Sequence, residues 1–288
     1  AVFFLAGVAG TVTISGGAFT TPAGSSYAAL RFGSTVSAPL SISDATLTSG
    51  SNALYIFSLQ AALSVSNVVA STGNNHGFHI HTTSSAGSVA VSGGSISGAG
   101  CGVYMGGTIN AATTVALTSV AVTGGSNTGF LFGGTVAGTF SVSGGAFSST
   151  TIALLIPTVT GSVSLSRASF TATTSAVKIN SLQGSLTMTN AIVSSTAADG
   201  LLISAVSSAT ISVAGGSLTG NTRGMFIDCP VDAGSTVSLS GVAVAGTTSN
   251  ALEIAGQMDG KLRIADRSTL TGATNAVLLS SSAGATSE

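Results

Sequence analysis

Residues 153–179 read ALLIPTVTGSVSLSRASFTATTSAVKI and contain one complete unit of a repeat that runs through the chain. The unit opens on Ala153-Leu154-Leu155-Ile156, where a small residue precedes two apolar residues that flank a variable one. The same pattern returns at Ala176-Val177-Lys178-Ile179. A period of two is typical of a strand with one buried face, so the variable residue is predicted to point outward.

This first pattern occurs twelve times, at spacings of 23 to 28 residues, and all 24 flanking positions are apolar. Its copies begin at Ala1, Ala29, Ala53, Gly77, Gly102, Gly129, Ala153, Ala176, Gly200, Gly224, Ala251 and Ala276. A spacing in the range of 20 to 50 residues indicates a stacked repeat architecture.

A second pattern lies inside each unit: apolar, any, apolar, Ser or Thr, then a turn residue. The central apolar residues are Ile14, Ile42, Val65, Val91, Leu117, Val142, Leu165, Met188, Val213, Leu239 and Ile264. The turn residues, two positions later, are Gly16, Asp44, Asn67, Gly93, Ser119, Gly144, Arg167, Asn190, Gly215, Gly241 and Asp266. Nine of these eleven are Gly, Asn or Asp, which tolerate a left-handed backbone, so a sharp corner is predicted there.

Three short strands and three bends per unit cannot bury an apolar face alone, whereas stacked units can. The sequence therefore predicts an all-β parallel β-helix (a β-solenoid), right-handed and three-sided, with about 25 residues per coil and 11–12 coils. We expect residues 1–288 to form a single continuous solenoid. Because both ends fall inside the repeat, we also expect a section of a longer repeat protein.

The repeat resembles the pectin-lyase-like right-handed parallel β-helix superfamily over the whole chain, and this resemblance implies an architecture without a specific activity. A weaker resemblance is to repetitive protozoan surface proteins of the dispersed-gene-family type. Phrases such as Ser51-Asn52-Ala53-Leu54-Tyr55-Ile56 and Ser92-Gly93-Gly94-Ser95-Ile96-Ser97 carry it.

Composition excludes several classes of protein. Only 15 of 288 residues are charged and the net charge is −1, so the basic stripe of a nucleic-acid binder is missing. No run reaches about 18 apolar residues, so no membrane span is expected. Ser and Thr number 48 and 38, which together with 39 Gly suits strands and turns.

Stacking aligns the variable residues of the first pattern into one outward column, called the outer column below. It consists of Phe3, Arg31, Tyr55, His79, Tyr104, Leu131, Leu155, Lys178, Leu202, Phe226, Glu253 and Leu278. Eight of the twelve are Phe, Leu or Tyr, which predicts a lateral contact with another copy or with a following chain segment. Cover by the chain's own loops is the alternative.

The residue before each central apolar residue of the second pattern defines a hydroxyl column. Its members are Thr13, Ser41, Ser64, Ala90, Ala116, Ser141, Ser164, Thr187, Ser212, Ser238 and Arg263. A further set, the hydroxyl file, lies six residues after the central apolar residue, or seven in the last unit. Its members are Thr20, Thr48, Ser71, Ser97, Thr123, Ser148, Thr171, Ser194, Thr219, Ala245 and Thr271. Hydrogen bonds along these columns explain them most simply, and contact with glycans or ice is the functional alternative.

Candidate chemistry is sparse. His76 lies close to His79 and His81 in sequence, and the last two would point outward together. A metal site needs a third ligand and no carboxylate or thiol is near in sequence, so no metal or other cofactor is expected. Cys101 and Cys229 lie five coils apart, about 24 Å along the axis, and cannot pair; buried free thiols are expected. Asp228 and Glu253 fall in different columns, and no catalytic residue is assigned.

Taken as a whole, the sequence predicts a structural protein without enzymatic activity, located outside the cell or on its surface. It would assemble laterally or end to end into a filament, coat or adhesin stalk. A glycan- or ice-binding module that uses the Ser/Thr-rich face is the first alternative, and a polysaccharide lyase or hydrolase is the second.

Overall fold

The computed structural model describes residues 1–83 and 87–280, and its described secondary structure consists of β-strands arranged in three parallel sheets. Within each sheet, every strand pairs with the equivalent strand of the next unit, about 25 residues away. The all-β, three-sided parallel solenoid predicted from the repeat is therefore confirmed. Strand pairing does not bear on the handedness of the coil, which stays a prediction.

Sheet A carries the first pattern. Its strands are Val2–Phe4, Leu30–Val36, Leu54–Leu59, Phe78–Thr83, Val103–Met105, Thr128–Phe132, Ile152–Val159, Ser175–Leu182, Leu201–Ile203, Met225–Ile227, Leu252–Ala255 and Val277–Ser280. The short strand Thr135–Val136 also pairs with Ile152–Val159.

Sheet B carries the second pattern, in strands Val12–Ser15, Leu40–Ser43, Leu63–Ser66, Val89–Ser92, Thr114–Thr118, Thr139–Ser143, Ser162–Ser166, Ser185–Thr189, Thr210–Ala214, Thr236–Ser240 and Lys261–Ala265. Sheet C follows the corner, in strands Ala18–Thr20, Thr46–Ser49, Val69–Thr72, Ser95–Gly98, Ala121–Gly124, Ala146–Ser149, Ser169–Ala172, Ile192–Ser195, Ser217–Gly220, Ala243–Gly246 and Thr269–Gly272.

The corners between sheets B and C lie where the turn residues predict them. All eleven turn residues have a positive φ, including Ser119 at 54° and Arg167 at 51°. A left-handed conformation costs a non-glycine residue about 1–2 kcal/mol, so packing of the flanking strands imposes it at these two positions. In the last unit Asp266 and Arg267 both have positive φ. The extra residue is absorbed there, because Leu270 still pairs with Val244.

The interior is filled by the two apolar residues of each strand pattern. Leu154, Ile156 and Leu165 are fully buried, as the alternation predicts. Stacked rings occupy the middle of the rod, where the Phe147 and Phe170 centroids of adjacent coils lie 5.0 Å apart. Equivalent positions in adjacent coils thus contact each other, which keeps the three sheets in register.

Candidate functional site

The outer column runs unbroken along the outside of sheet A. Each of its twelve members is paired with its equivalent in the next coil, from Phe3 opposite Arg31 to Glu253 opposite Leu278. The repeat therefore predicts the register of this surface correctly.

Exposure along the outer column is lower than a simple apolar stripe implies. Phe3 is 41% exposed, whereas Leu131, Leu155 and Leu202 are half-buried, because neighbouring side chains of the column cover one another. Phe226 is only 7% exposed, since the guanidinium of Arg223 lies 3.4 Å from its ring centroid. The sequence could not reveal this shielding, which depends on side chains in adjacent columns.

Exposed apolar residues lie beside the first strands of sheet A as well as in its last strand. Leu5, Tyr27 and Phe57 are 75%, 57% and 45% exposed. Tyr27 packs edge-on against Phe3, with centroids 5.6 Å apart, and Leu5 reaches to Gly33 of the next coil. Sequence reasoning missed these residues because they lie one or two positions outside the repeated pattern.

An aromatic–imidazole cluster continues this surface. His79 sits edge-on between Tyr55 and Tyr104, with both ring centroids 5.0 Å from its own. His76 lies 5.2 Å and His81 lies 5.9 Å from His79, so all three histidines of the chain are in mutual or shared contact. The sequence places His79 and His81 side by side, as the structure does, but gives no sign that His76 folds back onto them.

The protonation of this cluster is shifted toward the neutral form. Burial, with smaller contributions from the charges of His76 and His81, lowers the pKa of His79 to about 4. Burial also lowers the pKa of His76, whose Nδ1 accepts a hydrogen bond from the backbone N–H of Cys101 at 3.2 Å. Both ring nitrogens of His79 are buried without a hydrogen-bond partner. Such orphaned groups are unusual, and each costs about 1–3 kcal/mol.

The three contacting imidazole rings are potential metal ligands. Within residues 1–83 and 87–280, no group of three or more His, Cys, Asp or Glu side chains is placed to hold a metal ion.

The described part of the chain contains no helix with the length and hydropathy of a membrane span.

The two cysteines are both free, as their separation predicts. Cys101 is fully buried, whereas Cys229 is only partly buried, so the expectation of a buried thiol is wrong for Cys229. Cys229 lies in the bend after strand Met225–Ile227, where the alternation no longer sets the direction of the side chain. Burial raises the pKa of both thiols, which keeps them protonated at neutral pH.

An ion-pair network lies near the other end of the rod. Arg223 donates from Nε and from an amino nitrogen to the two carboxylate oxygens of Asp199, at 2.7 and 3.2 Å, and Asp199 is buried. The same guanidinium lies 3.5 Å from Glu253, which also accepts a hydrogen bond from Asn250 at 2.8 Å. The sequence indicates this contact, because Asp199, Arg223 and Asn250 each directly precede the small residue of the first pattern and so occupy equivalent positions in successive units.

This network decides the role of the acids near Glu253. The Glu253 carboxylate is bound by Arg223 and Asn250, and the Asp228 side chain in the next column is exposed. The arrangement is that of a register-fixing polar contact between coils.

The hydroxyl column lies on the outside of sheet B with all eleven members in register, from Thr13 to Arg263. On this face Ser43 donates to Ser15 and Ser162 donates to Thr139, both at 3.3 Å. These neighbours of the column show that hydroxyls can link adjacent coils, as expected for a structural role.

The hydroxyl file on sheet C borders two grooves. Thr123, Ser148 and Thr171 of the file line a groove of about 320 Å³, together with Ser149, Thr150, Thr173 and Thr196. Thr48 of the same file lines a second groove of about 440 Å³ with Thr21 and Ser49. Concave, hydroxyl-lined surfaces can donate and accept hydrogen bonds with a polyol.

Comparison with protein-family models, with curated proteins and with solved structures finds no match to this chain. Its likeness to β-helix proteins is therefore one of architecture, carried by the three stacked parallel sheets. Neither the pectin-lyase-like superfamily nor the protozoan surface proteins gain support beyond that architecture.

Proposed function

We propose that this chain is a structural rod that associates laterally through the outer face of sheet A, as part of an extracellular or cell-surface filament, coat or adhesin stalk. The observation that carries the proposal is the unbroken outer column, with apolar residues in eight of twelve coils and exposed Leu5, Tyr27 and Phe57 beside it. A face of this kind on a low-charge rod favours contact with a second apolar surface.

The size of the face supports the same function. Twelve parallel strands about 4.8 Å apart make a strip about 55 Å long. With a width of about 15 Å, or four to five residues at about 3.3 Å each, the strip offers roughly 800 Å². Stable protein interfaces bury about 800 Å² on each partner, so the face is large enough for a specific contact.

Replacement of Leu131, Leu155 and Leu202 by Lys tests this function. Three ammonium groups on the half-buried column would have to be desolvated in any contact, so we expect the triple variant to be monomeric at 27.5 kDa. Light scattering and negative-stain electron microscopy report the mass and shape of the particles.

The matched control places three lysines in the same coils but on sheet B, at Ser141, Ser164 and Ser212, and should leave assembly unchanged. A native protein that is already monomeric, or a leucine variant that assembles like the native protein, would overturn the proposed contact.

A second candidate function is glycan binding by the hydroxyl surfaces, favoured by the groove that Thr123, Ser148 and Thr171 line. Thr171→Tyr fills this groove, whereas Thr187→Tyr changes only the flat face of sheet B. A glycan array should then lose signal with the first variant alone. Loss of thermal hysteresis with the second variant alone would instead indicate that the flat face binds ice, and equal behaviour of both variants would contradict both ligands.

A further inference from the structure

Two of the three charged residues of the outer column lie at equal distances from the point midway between Leu131 and Leu155. Arg31 is the second member of the outer column, and Glu253 is the second-to-last member. When the column is reversed against itself, Arg31 falls opposite Glu253. The same reversal sets Tyr104 opposite Lys178, which pairs an aromatic ring with a cation.

The remaining positions also match under this reversal. Tyr55 falls opposite Phe226, whose ring is covered by the Arg223 guanidinium, so that the Tyr55 ring faces a cation. Leu131 falls opposite Leu155 at the centre, and the remaining pairs are His79 with Leu202 and Phe3 with Leu278. Apolar residues thus meet apolar residues or rings, and charged residues meet an opposite charge or a ring.

Arg31 has no carboxylate partner within residues 1–83 and 87–280. Its guanidinium lies 5.2 Å from the Tyr55 ring centroid, and its Nε is buried without a hydrogen-bond partner. Both ion pairs among the described residues are made by Arg223 instead. Lys178 has no ion pair among those residues either. Two of the three charged groups of the column therefore have no ion-pair partner within the described residues.

We infer that a second copy of this chain docks antiparallel onto the outer face of sheet A, with a two-fold axis between Leu131 and Leu155. The inference rests on the proposed lateral association and names its partner and register. Because a two-fold contact is made twice, the dimer contains two Arg31–Glu253 ion pairs and two Tyr104–Lys178 contacts between copies.

Other arrangements of two copies are penalised by charge. A parallel arrangement sets Arg31 on Arg31, Lys178 on Lys178 and Glu253 on Glu253, which are like-charge contacts. A shift of the antiparallel pair by one coil sets Arg31 against Phe226 or Leu278, which buries a charge without a partner. The outer column therefore specifies both direction and register.

Chemical cross-linking measures that register directly. In a Cys229→Ser background, Arg31→Cys and Glu253→Cys proteins are prepared separately and treated with a bismaleimide of about 10 Å span, the spacing of two packed sheets. In the antiparallel dimer, residue 31 of one copy faces residue 253 of the other. Like positions lie nine coils apart, about 43 Å.

We expect cross-linked dimer only when the two proteins are mixed. Dimer formed by either protein alone would show a parallel contact and overturn the inference, while leaving lateral association intact. Assembly by light scattering without any cross-link would also overturn it. A native protein that stays monomeric would instead overturn the proposed function on which the inference rests.

Charge exchange provides an independent test on the same residues. Arg31→Glu and Glu253→Lys each create two like-charge contacts per dimer, so each variant alone should dimerise at least about tenfold more weakly. A mixture restores both ion pairs, since each residue of one copy then meets the opposite charge of the other. Circular dichroism checks that both variants fold, and a mixture as weak as its components would contradict the inference.

Discussion

His79 shows how one residue departs from the rule that its column follows. Four of the twelve outer-column positions are Leu, whose apolar side chains need no hydrogen-bond partner. His79 occupies the same environment with two buried ring nitrogens that lack partners. Its neutral form is therefore the one compatible with the fold, which explains the direction of its pKa shift.

The replacement His79→Leu should raise stability and flatten its dependence on pH. The folded pKa of about 4 lies below the ordinary 6.5, so the unfolded chain binds more protons between these values. The free energy of unfolding of the native chain therefore falls as the pH drops from 6.5 to 4. Because solvent reaches part of the His79 side chain and screens its charge, we expect a loss of about 1 kcal/mol.

Thermal unfolding of both proteins at pH 7 and pH 4.5 checks this. Leu202→Ala, five coils away in the same column, is the control and should keep the full pH dependence. An unchanged pH dependence in His79→Leu would show that other groups cause it.

At the scale of the element, strands and corners differ in how they tolerate an extra residue. Corners fix the direction of the chain through a positive φ, and they accept an extra residue, as Asp266 and Arg267 show. Strands accept one only in a bulge, such as the one between Phe32 and Thr35, because elsewhere a slip of one residue moves every inward side chain to the outside. Variation in repeat length is therefore expected at the bends, where the spacing of 23 to 28 residues arises.

Two glycine insertions only three residues apart should have different effects. An insertion after Arg167 lengthens a corner in the middle of the rod and should cost about 1–2 kcal/mol. An insertion after Ser164 displaces the buried residues Val163 and Leu165 onto opposite faces and should cost more than about 4 kcal/mol. Denaturant unfolding compares the two, and equal losses would contradict the separation of corner and strand.

At the scale of the whole molecule, the rod is stabilised by contacts between neighbouring coils. The strand order within each sheet follows the sequence order of the repeats, so each coil touches the coil before and the coil after. Stability is then close to a sum over coils and their interfaces. Polar contacts between coils, such as that of Asp199 with Arg223, belong to the interface terms of this free energy of unfolding.

Hydrogen exchange should show a gradient along the 288-residue chain. Leu154 and Phe170 in the middle are fully buried, whereas Ile264 and Val277 in the last coils are 40% and 37% exposed. We expect amides of the middle coils to exchange at least about tenfold more slowly than those of residues 1–20 and 261–280. Mass spectrometry of peptic peptides measures this, with the unfolded chain as reference, and uniform protection would indicate all-or-none unfolding instead.

The sequence by itself determines the coil, its register and its corners, because each depends on a local pattern that is repeated eleven or twelve times. Even Arg167, a residue with no intrinsic preference for positive φ, is placed correctly by its position in the repeat. The members of the outer column and of the hydroxyl columns follow from the same register.

Only the tertiary structure decided how much of each column reaches solvent and which polar groups meet. The burial of Phe226 depends on Arg223, three residues earlier in the same coil, and the orphaned nitrogens of His79 depend on the ring of His76 and on two tyrosines of the adjacent coils. The contacts of Arg223 and His76 join different columns. A repeat pattern specifies positions along one column, and the packing between columns is set by the size and direction of individual side chains.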